Sequence, residues 1–233
     1  MHPQPVFVFS IGRCGSTLLS SLLKATGRLS ISEPDIFTQL AVLRPIERLV
    51  LGGVGTSEII RSSVASFARL CGRRTFLKLR HHCNVLWPQI NLATPDANLV
   101  FMLRDRIDWA RSRHRVFGDG PEALVTVLRD GIVCLDSMIR GGLTPMIVWY
   151  EDLISDPFGT LQCLGIESDG RGFLDRTVLG GALQVDSQDG TSLSRKNIRP
   201  RESEENCLRA FDALWQQEGL SQTIRRLNIE RLL

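Results

Sequence analysis

The sequence predicts a single α/β domain over residues 1–233, built on a central parallel β-sheet flanked by helices. Three observations predict it. Five short runs, Val6–Ser10, Leu29–Ser32, Thr75–Leu79, Leu99–Leu103 and Pro145–Trp149, alternate with stretches of helical periodicity. These runs are mostly apolar throughout rather than alternating, as befits strands covered on both faces. Four of them end in polar residues: Ser10 to Thr17, Ser32-Glu33, Lys78 to His82, and Arg104. The last leads into Tyr150-Glu151. Ligands of open α/β sheets sit at the carboxyl ends of the strands, so these residues mark the expected site.

The helices follow from period and caps. Thr17 to Ala25 carries a leucine-rich face. From Thr56 to Leu70, the residues Ile59, Ile60, Val64, Phe67 and Ala68 recur at helical spacing behind a Thr/Ser cap. Asp105 can cap a helix through Arg115, and Pro121 to Ile139 is a long amphipathic run. Asp156-Pro157 is an N-cap followed by proline at the first helical position. The Gly-rich stretches Leu51 to Gly55, Gly170 to Gly172 and Gly180-Gly181 are expected to be loops at the rim of the sheet. No internal repeat or low-complexity linker divides the chain.

Composition narrows the function classes. The chain is 43% hydrophobic and 23% charged, with a formal net charge of +3. Its Lys and Arg residues are spread rather than blocked, which argues against nucleic acid as a partner. The six cysteines (14, 71, 83, 134, 163 and 207) stand singly, without a CxxC pair, and fit reduced thiols. His81-His82 beside Cys83 is the nearest approach to a metal motif. Adjacent side chains diverge and no second ligand cluster follows, so no metal site is expected. MHPQP leads directly into a strand, and no apolar run reaches the ~18 residues of a membrane span. A soluble, cytoplasmic protein is expected, and oligomeric state is not encoded in any local pattern.

The first strand ends in SIGRCGST. Gly12 and Gly15 allow positive φ, so successive N–H groups can form an anion nest, and the following helix adds its N-terminal donors. Ser16 and Thr17 offer hydroxyls and Arg13 a planar cationic fork. The same residues also suit a plain strand-to-helix turn with a capping hydroxyl. Against the pattern G-x-x-x-x-G-K-[ST], Ser10 replaces the first glycine and Ser16 the lysine. No apolar strand ends in a suitably placed magnesium-binding Asp, since Leu99–Leu103 meets Arg104 before Asp105. A loop for an anion with less charge than a triphosphate, and without metal, fits better than a kinase site.

FSIGRCGSTLL resembles the 5′-phosphosulfate loop of sulfotransferases that use 3′-phosphoadenosine 5′-phosphosulfate (PAPS), in the bacterial form with Arg in the loop. VFMLRDRIDWARSR resembles their 3′-phosphate segment, with Arg104 at a strand end and Ser112 eight positions on. VWYEDLISDP resembles their third block. The three occur in the family order between Val6 and Pro157. Arg106 stands where that family often has proline, and Cys14 where serine is common. The resemblance implies a P-loop-NTPase-like sulfotransferase fold, PAPS as co-substrate and adenosine 3′,5′-bisphosphate (PAP) as product. It assigns Gly12, Arg13, Cys14, Gly15, Ser16, Thr17, Arg104, Ser112 and Tyr150 to the cofactor, with Arg195 and Lys196 of SLSRKNIRP as a closing basic loop. Ordinary alternatives stand beside these: Arg104 pairing with Asp105 or Asp108, Tyr150 as a core aromatic, and 195–199 as a solvated loop.

For chemistry, Arg13 and Lys78 are the candidates to stabilise the leaving oxygen, Lys78 matching a lysine of related enzymes; it can equally form a rim salt bridge. Glu33, twenty residues after Arg13, matches a catalytic glutamate of members with Arg in the loop, and desolvation can raise its pKa. Otherwise Glu33 caps the next helix. His81 and His82 are rival bases, one and two residues beyond the family's position, where this chain has Arg80. The expected reaction is sulfuryl transfer from PAPS to a hydroxyl of a small molecule, with helical segments 36–72 and 115–142 shaping the acceptor pocket. A small-molecule P-loop kinase and a non-catalytic PAPS- or PAP-binding protein are the alternatives.

Overall fold

In the computed structural model the apolar runs become β1 (Val6–Ser10), β2 (Leu29–Ser32), β3 (Thr75–Lys78), β4 (Asn98–Leu103) and β5 (Met146–Trp149). The structure describes residues 4–44, 55–71, 74–166, 176–184, 200 and 203–233. The strands form one sheet of order β2-β3-β1-β4-β5, and every pairing is parallel. β1 lies at the centre, with Val8 opposite Lys78 on one side and Val100 on the other. All five of its residues are buried. Alternate strand residues point to opposite faces, so complete burial means that both faces are covered, as the unbroken apolar run requires.

The helices are α1 (Ser16–Ala25), α2 (Asp35–Leu43), α3 (Thr56–Cys71), α4 (Trp87–Ala93), α5 (Arg106–Phe117), α6 (Pro121–Arg140), α7 (Tyr150–Ser155), α8 (Pro157–Cys163), α9 (Arg176–Gln184), α10 (Glu204–Gln217) and α11 (Ser221–Arg226). The expected caps form. Asp105 accepts from the N–H groups of Ile107 and Asp108, and Asp156 from that of Gly159. Gly180 and Gly181, expected in a rim loop, lie inside α9 instead. Leu179 and its neighbours give that turn an apolar face to bury, which offsets the ~1 kcal/mol helix cost of each glycine. Of the other Gly-rich stretches, 51–54 and 170–172 lie outside the described residues.

Helix α5 is held by the end of the chain. Arg115 makes a bidentate pair with Glu204 of α10 at 2.6 and 2.7 Å, and Arg106 pairs with Asp212. Arg106 thus uses the first helical position, open to proline, to anchor a second helix. Trp109 of α5 and Phe211 of α10 are both fully buried, with ring centroids 6.3 Å apart. No helix among the described residues is long and apolar enough to cross a membrane.

Beneath the first loop, Gly131 of α6 lies against Ile11, which is 1% exposed. A Cβ at position 131 would stand 2.4 Å from Ile11 Cγ2. An alanine there gains ~1 kcal/mol of helix propensity but meets overpacking of about 1–3 kcal/mol. Gly131→Ala should therefore lower stability in chemical denaturation. The double variant with Ile11→Ala should be less destabilised than the sum of the two single changes.

Candidate active site

The segment after β1 leaves the sheet through three left-handed residues: Gly12 (φ 71°), Arg13 (φ 55°) and Gly15 (φ 81°). Tyr150 packs directly on Gly15, where a Cβ would come within 2.3 Å of its ring. Gly15 is therefore fixed by close approach as well as by its backbone. It is also the N-cap of α1 and supplies no side chain, so the first-turn amides of α1 are left without a side-chain cap. The Gly12 N–H is taken by Ser10 Oγ at 3.3 Å, and the Gly12 carbonyl accepts from the buried Trp109 indole at 2.8 Å.

A cavity of about 900 Å³ opens over this loop at the carboxyl ends of the strands. Gly12, Arg13, Gly15, Ser16, Thr17, Glu33, Lys78, His81, His82, Arg104, Ser112 and Tyr150 all line it. Cys14 does not: its thiol is buried beneath the loop, and burial pushes its pKa up. Only its backbone is left to serve a ligand. The apolar character of a free thiol suits this inward place. Arg195 and Lys196 lie outside the described residues. Among the described residues, segment 36–72 contributes nothing to this wall, and 115–142 contributes only Arg115 and Phe117. The reason is packing: Phe37, Leu40, Ile60 and Val64 face the core, and α6 buries Leu124, Leu128, Ile132 and Leu135. The walls come from the loop and the start of α1, from the ends of β2 and β3 on through His82, from Arg104 and α5, and from Tyr150.

On one side stand Arg13, Ser112, Arg104 and Tyr150. Arg13 Nε donates to Ser112 Oγ at 3.3 Å, joining two residues 99 positions apart that the sequence reading placed on different ends of a cofactor. Arg104 pairs with neither Asp105 nor Asp108. Its guanidinium lies 4.5 Å from the centre of the Tyr150 ring, donates to the Arg13 carbonyl at 3.4 Å, and stands 4.0 Å from Glu151. Its buried Nε has no hydrogen-bond partner among the described residues. Burial, then the charges of Arg104 and Arg113, lower the Arg13 pKa. Two guanidinium groups held this closely, with Glu151 only at 4.0 Å from one of them, are an arrangement that suits an anion.

On the other side, Glu33 does not cap α2, whose N-cap is Pro34 without a side-chain bond. Its carboxylate pairs with Lys78, which is 5% exposed, and accepts from Arg80 Nε at 2.9 Å. Burial pushes the Glu33 carboxyl up, but the bonds and charges of Lys78 and Arg80 outweigh it, and the net shift is downward. The expected rise toward neutrality is therefore corrected. Desolvation is present, yet two cations within contact distance dominate it. His81 is pushed down to about 4 by burial and by the charges of Arg113 and His82, so its imidazole is neutral at pH 7. His82 is lowered as well, by burial and then by Arg80.

The sequence reading missed Arg111, Arg113 and Arg115 as lining residues; Arg80 lay within the marked strand end but was given no role. The one available signal was the i, i+2, i+4 run of arginines on α5. That run reads equally as a solvated helix surface.

Because the Glu33 pKa is lowered in the fold, its ion pairs contribute stability above the ordinary carboxyl value of 4.5, and that contribution is lost as pH falls through the lowered value. Between about pH 6 and about pH 3, wild type should lose more thermal stability than Glu33→Gln. Parallel Tm-against-pH curves would contradict this.

No family model matches the chain, and no curated protein matches its sequence. Among solved structures it is similar to the sulfotransferase domain from the Synechococcus PCC 7002 olefin synthase, with a TM-score of 0.55 and 17% identity. The match covers 96% of this chain and 93% of that one. At this identity the likeness is one of architecture: the chain has a sulfotransferase-like fold, with a five-stranded parallel sheet and the cavity at its carboxyl edge.

Proposed function

We propose that this protein is a sulfotransferase that moves a sulfuryl group from PAPS to the hydroxyl of a small-molecule acceptor, releasing PAP. The observation that carries the reading is the division of one cavity. Guanidinium groups and uncapped helix amides gather at a glycine loop without a P-loop lysine, and an ionised carboxylate faces them beside a buried lysine. Arg13 with the first-turn amides of α1 fits the 5′-phosphosulfate, and Arg104 with Ser112 fits the 3′-phosphate. Tyr150, with the Cδ2–Cε2 edge of its ring on Gly15 and the Arg104 guanidinium over its face, fits an adenine edge. The donor brings the reactive group; the chain positions it.

In the transfer, the acceptor oxygen forms a bond to sulfur while the bond from sulfur to the bridging oxygen breaks. The electron pair stays on the 5′-phosphate of PAP, and the acceptor proton passes to Glu33. Without donor, Lys78 holds Glu33 ionised and weakly basic. A leaving phosphate oxygen offers Lys78 a competing anionic partner. As Lys78 turns to it, Glu33 loses its strongest partner, burial raises its proton affinity, and the carboxylate becomes a better base. Lys78 thus stabilises developing charge at one end and tunes the base at the other. His81, neutral at pH 7, is the next candidate for the proton.

Calorimetry with PAP and with ATP·Mg²⁺ tests the donor class. PAP should bind in preference, and preference for ATP·Mg²⁺ would overturn the reading. Arg104→Ala should weaken PAP binding by about 10-fold or more, the worth of a charged hydrogen bond.

Glu33→Gln should lower turnover by about 10²-fold or more while leaving PAP affinity nearly unchanged. Full turnover in that variant, with loss in His81→Ala or His82→Ala, would move the base to the histidines.

A further inference from the structure

Arg113 is the most deeply buried arginine of the cavity wall, with 8% of its side chain exposed. One carboxylate oxygen of Asp119 accepts from Nε at 2.7 Å and lies 2.6 Å from Nη2. The guanidinium is also placed by two rings, 5.6 Å from the centre of Trp109 and 5.1 Å from that of Phe117. Every contact fixes one edge of the group and leaves the other. Nη1 is buried and has no hydrogen-bond partner among the described residues. A buried guanidinium N–H without an acceptor costs about 1–3 kcal/mol, and the surrounding contacts hold it there rather than letting it turn to solvent.

Held by Asp119 and the two rings, Nη1 lies beside Gly12. A Cβ at that position would lie 3.4 Å from Arg113 Nη1 and 3.4 Å from His81 Nδ1. The glycine therefore leaves a small recess over the loop, closed on one side by a cationic N–H and on the other by a neutral imidazole. Position along the cavity follows from the neighbours. Arg104 and Tyr150 meet the loop at Arg13 and Gly15. Arg113 meets it at Gly12 beside His81, the residue that follows Arg80, whose Nε donates to Glu33 at 2.9 Å. Arg113 is thus on the side of the loop that faces the carboxylate.

We infer that Arg113 is a donor-binding residue of this site, its Nη1 donating to the sulfuryl oxygens of the phosphosulfate over Gly12. This rests on the sulfotransferase reading and deepens it. Arg104 and Ser112 recognise the nucleotide, whereas Arg113 recognises the group that moves. Asp119 and Phe117 are positioning residues for its guanidinium.

PAP lacks the sulfuryl group, so comparing PAPS with PAP isolates the contact. Arg113→Lys keeps a cation against Asp119 but cannot present both a held edge and a directed Nη1. Arg113→Gln removes the charge; should it fail to fold in a circular dichroism melt, the lysine variant carries the test. In calorimetry both variants should weaken PAPS by about 10-fold or more and change PAP by less than about threefold. Arg104→Ala should weaken both ligands together. Unchanged PAPS affinity in the Arg113 variants, or equal weakening of PAPS and PAP, would overturn the assignment while leaving wild-type binding intact. Wild type that binds neither ligand would instead overturn the sulfotransferase reading itself.

Discussion

The hydrogen bond from the Trp109 indole to the Gly12 carbonyl, 2.8 Å long, ties the first loop to α5, and the site depends on that join. It exists because β1 and β4 are neighbours in a parallel sheet, so the loop after one and the helix after the other emerge side by side. Trp109 is fully buried, and its N–H would be an unsatisfied donor in the core without the loop carbonyl. The loop is pressed from the other directions by Tyr150 on Gly15 and by α6 on Ile11. A backbone with left-handed residues at 12, 13 and 15 is held by surroundings that over-determine it, as strained functional loops are.

Charge is organised around that rigid loop. The arginines of α5 divide by partner: Arg106, Arg111 and Arg115 are engaged by acidic residues of α10, and Arg113 by Asp119. Ion pairing with α10 lets the helix carry a dense cationic run without repelling itself from the fold. Arg13 and Arg104, the latter with Glu151 only at 4.0 Å, line the cavity. The two stand close to one another beside a helix N-terminus, where the charge of each disfavours the other. Glu33 also lines the cavity, its proton affinity lowered by Lys78 and Arg80 against burial.

Much of this was legible in the chain. The five strands appear where unbroken apolar runs stand, shifted by one residue at β3, β4 and β5. Capping residues Asp105 and Asp156 and the proline after Asp156 placed helix starts because their effects are local. The glycine loop, Arg104, Ser112 and Tyr150 were legible from motif and strand-end position, and the structure gathers them on one cavity. What escaped depends on contacts that no window of sequence contains. Cys14 turned inward because the loop's curvature puts it against the core. Among the described residues, none of 36–72 lines the cavity, because Phe37, Leu40, Ile60 and Val64 face the core.

By itself the sequence determined the parallel sheet, the turn chemistry of the first loop and the residue types at the strand ends. These follow from side-chain period, from the φ freedom of glycine and from the shape of each side chain. Only the tertiary structure decided how those groups are charged and paired. Glu33 is depressed rather than raised because Lys78 and Arg80, 45 and 47 positions away, stand beside it. Arg113 faces inward because Asp119 and two aromatic rings hold one edge of its guanidinium. Proton affinity and hydrogen-bond direction are properties of neighbours in space, and folding supplies those neighbours.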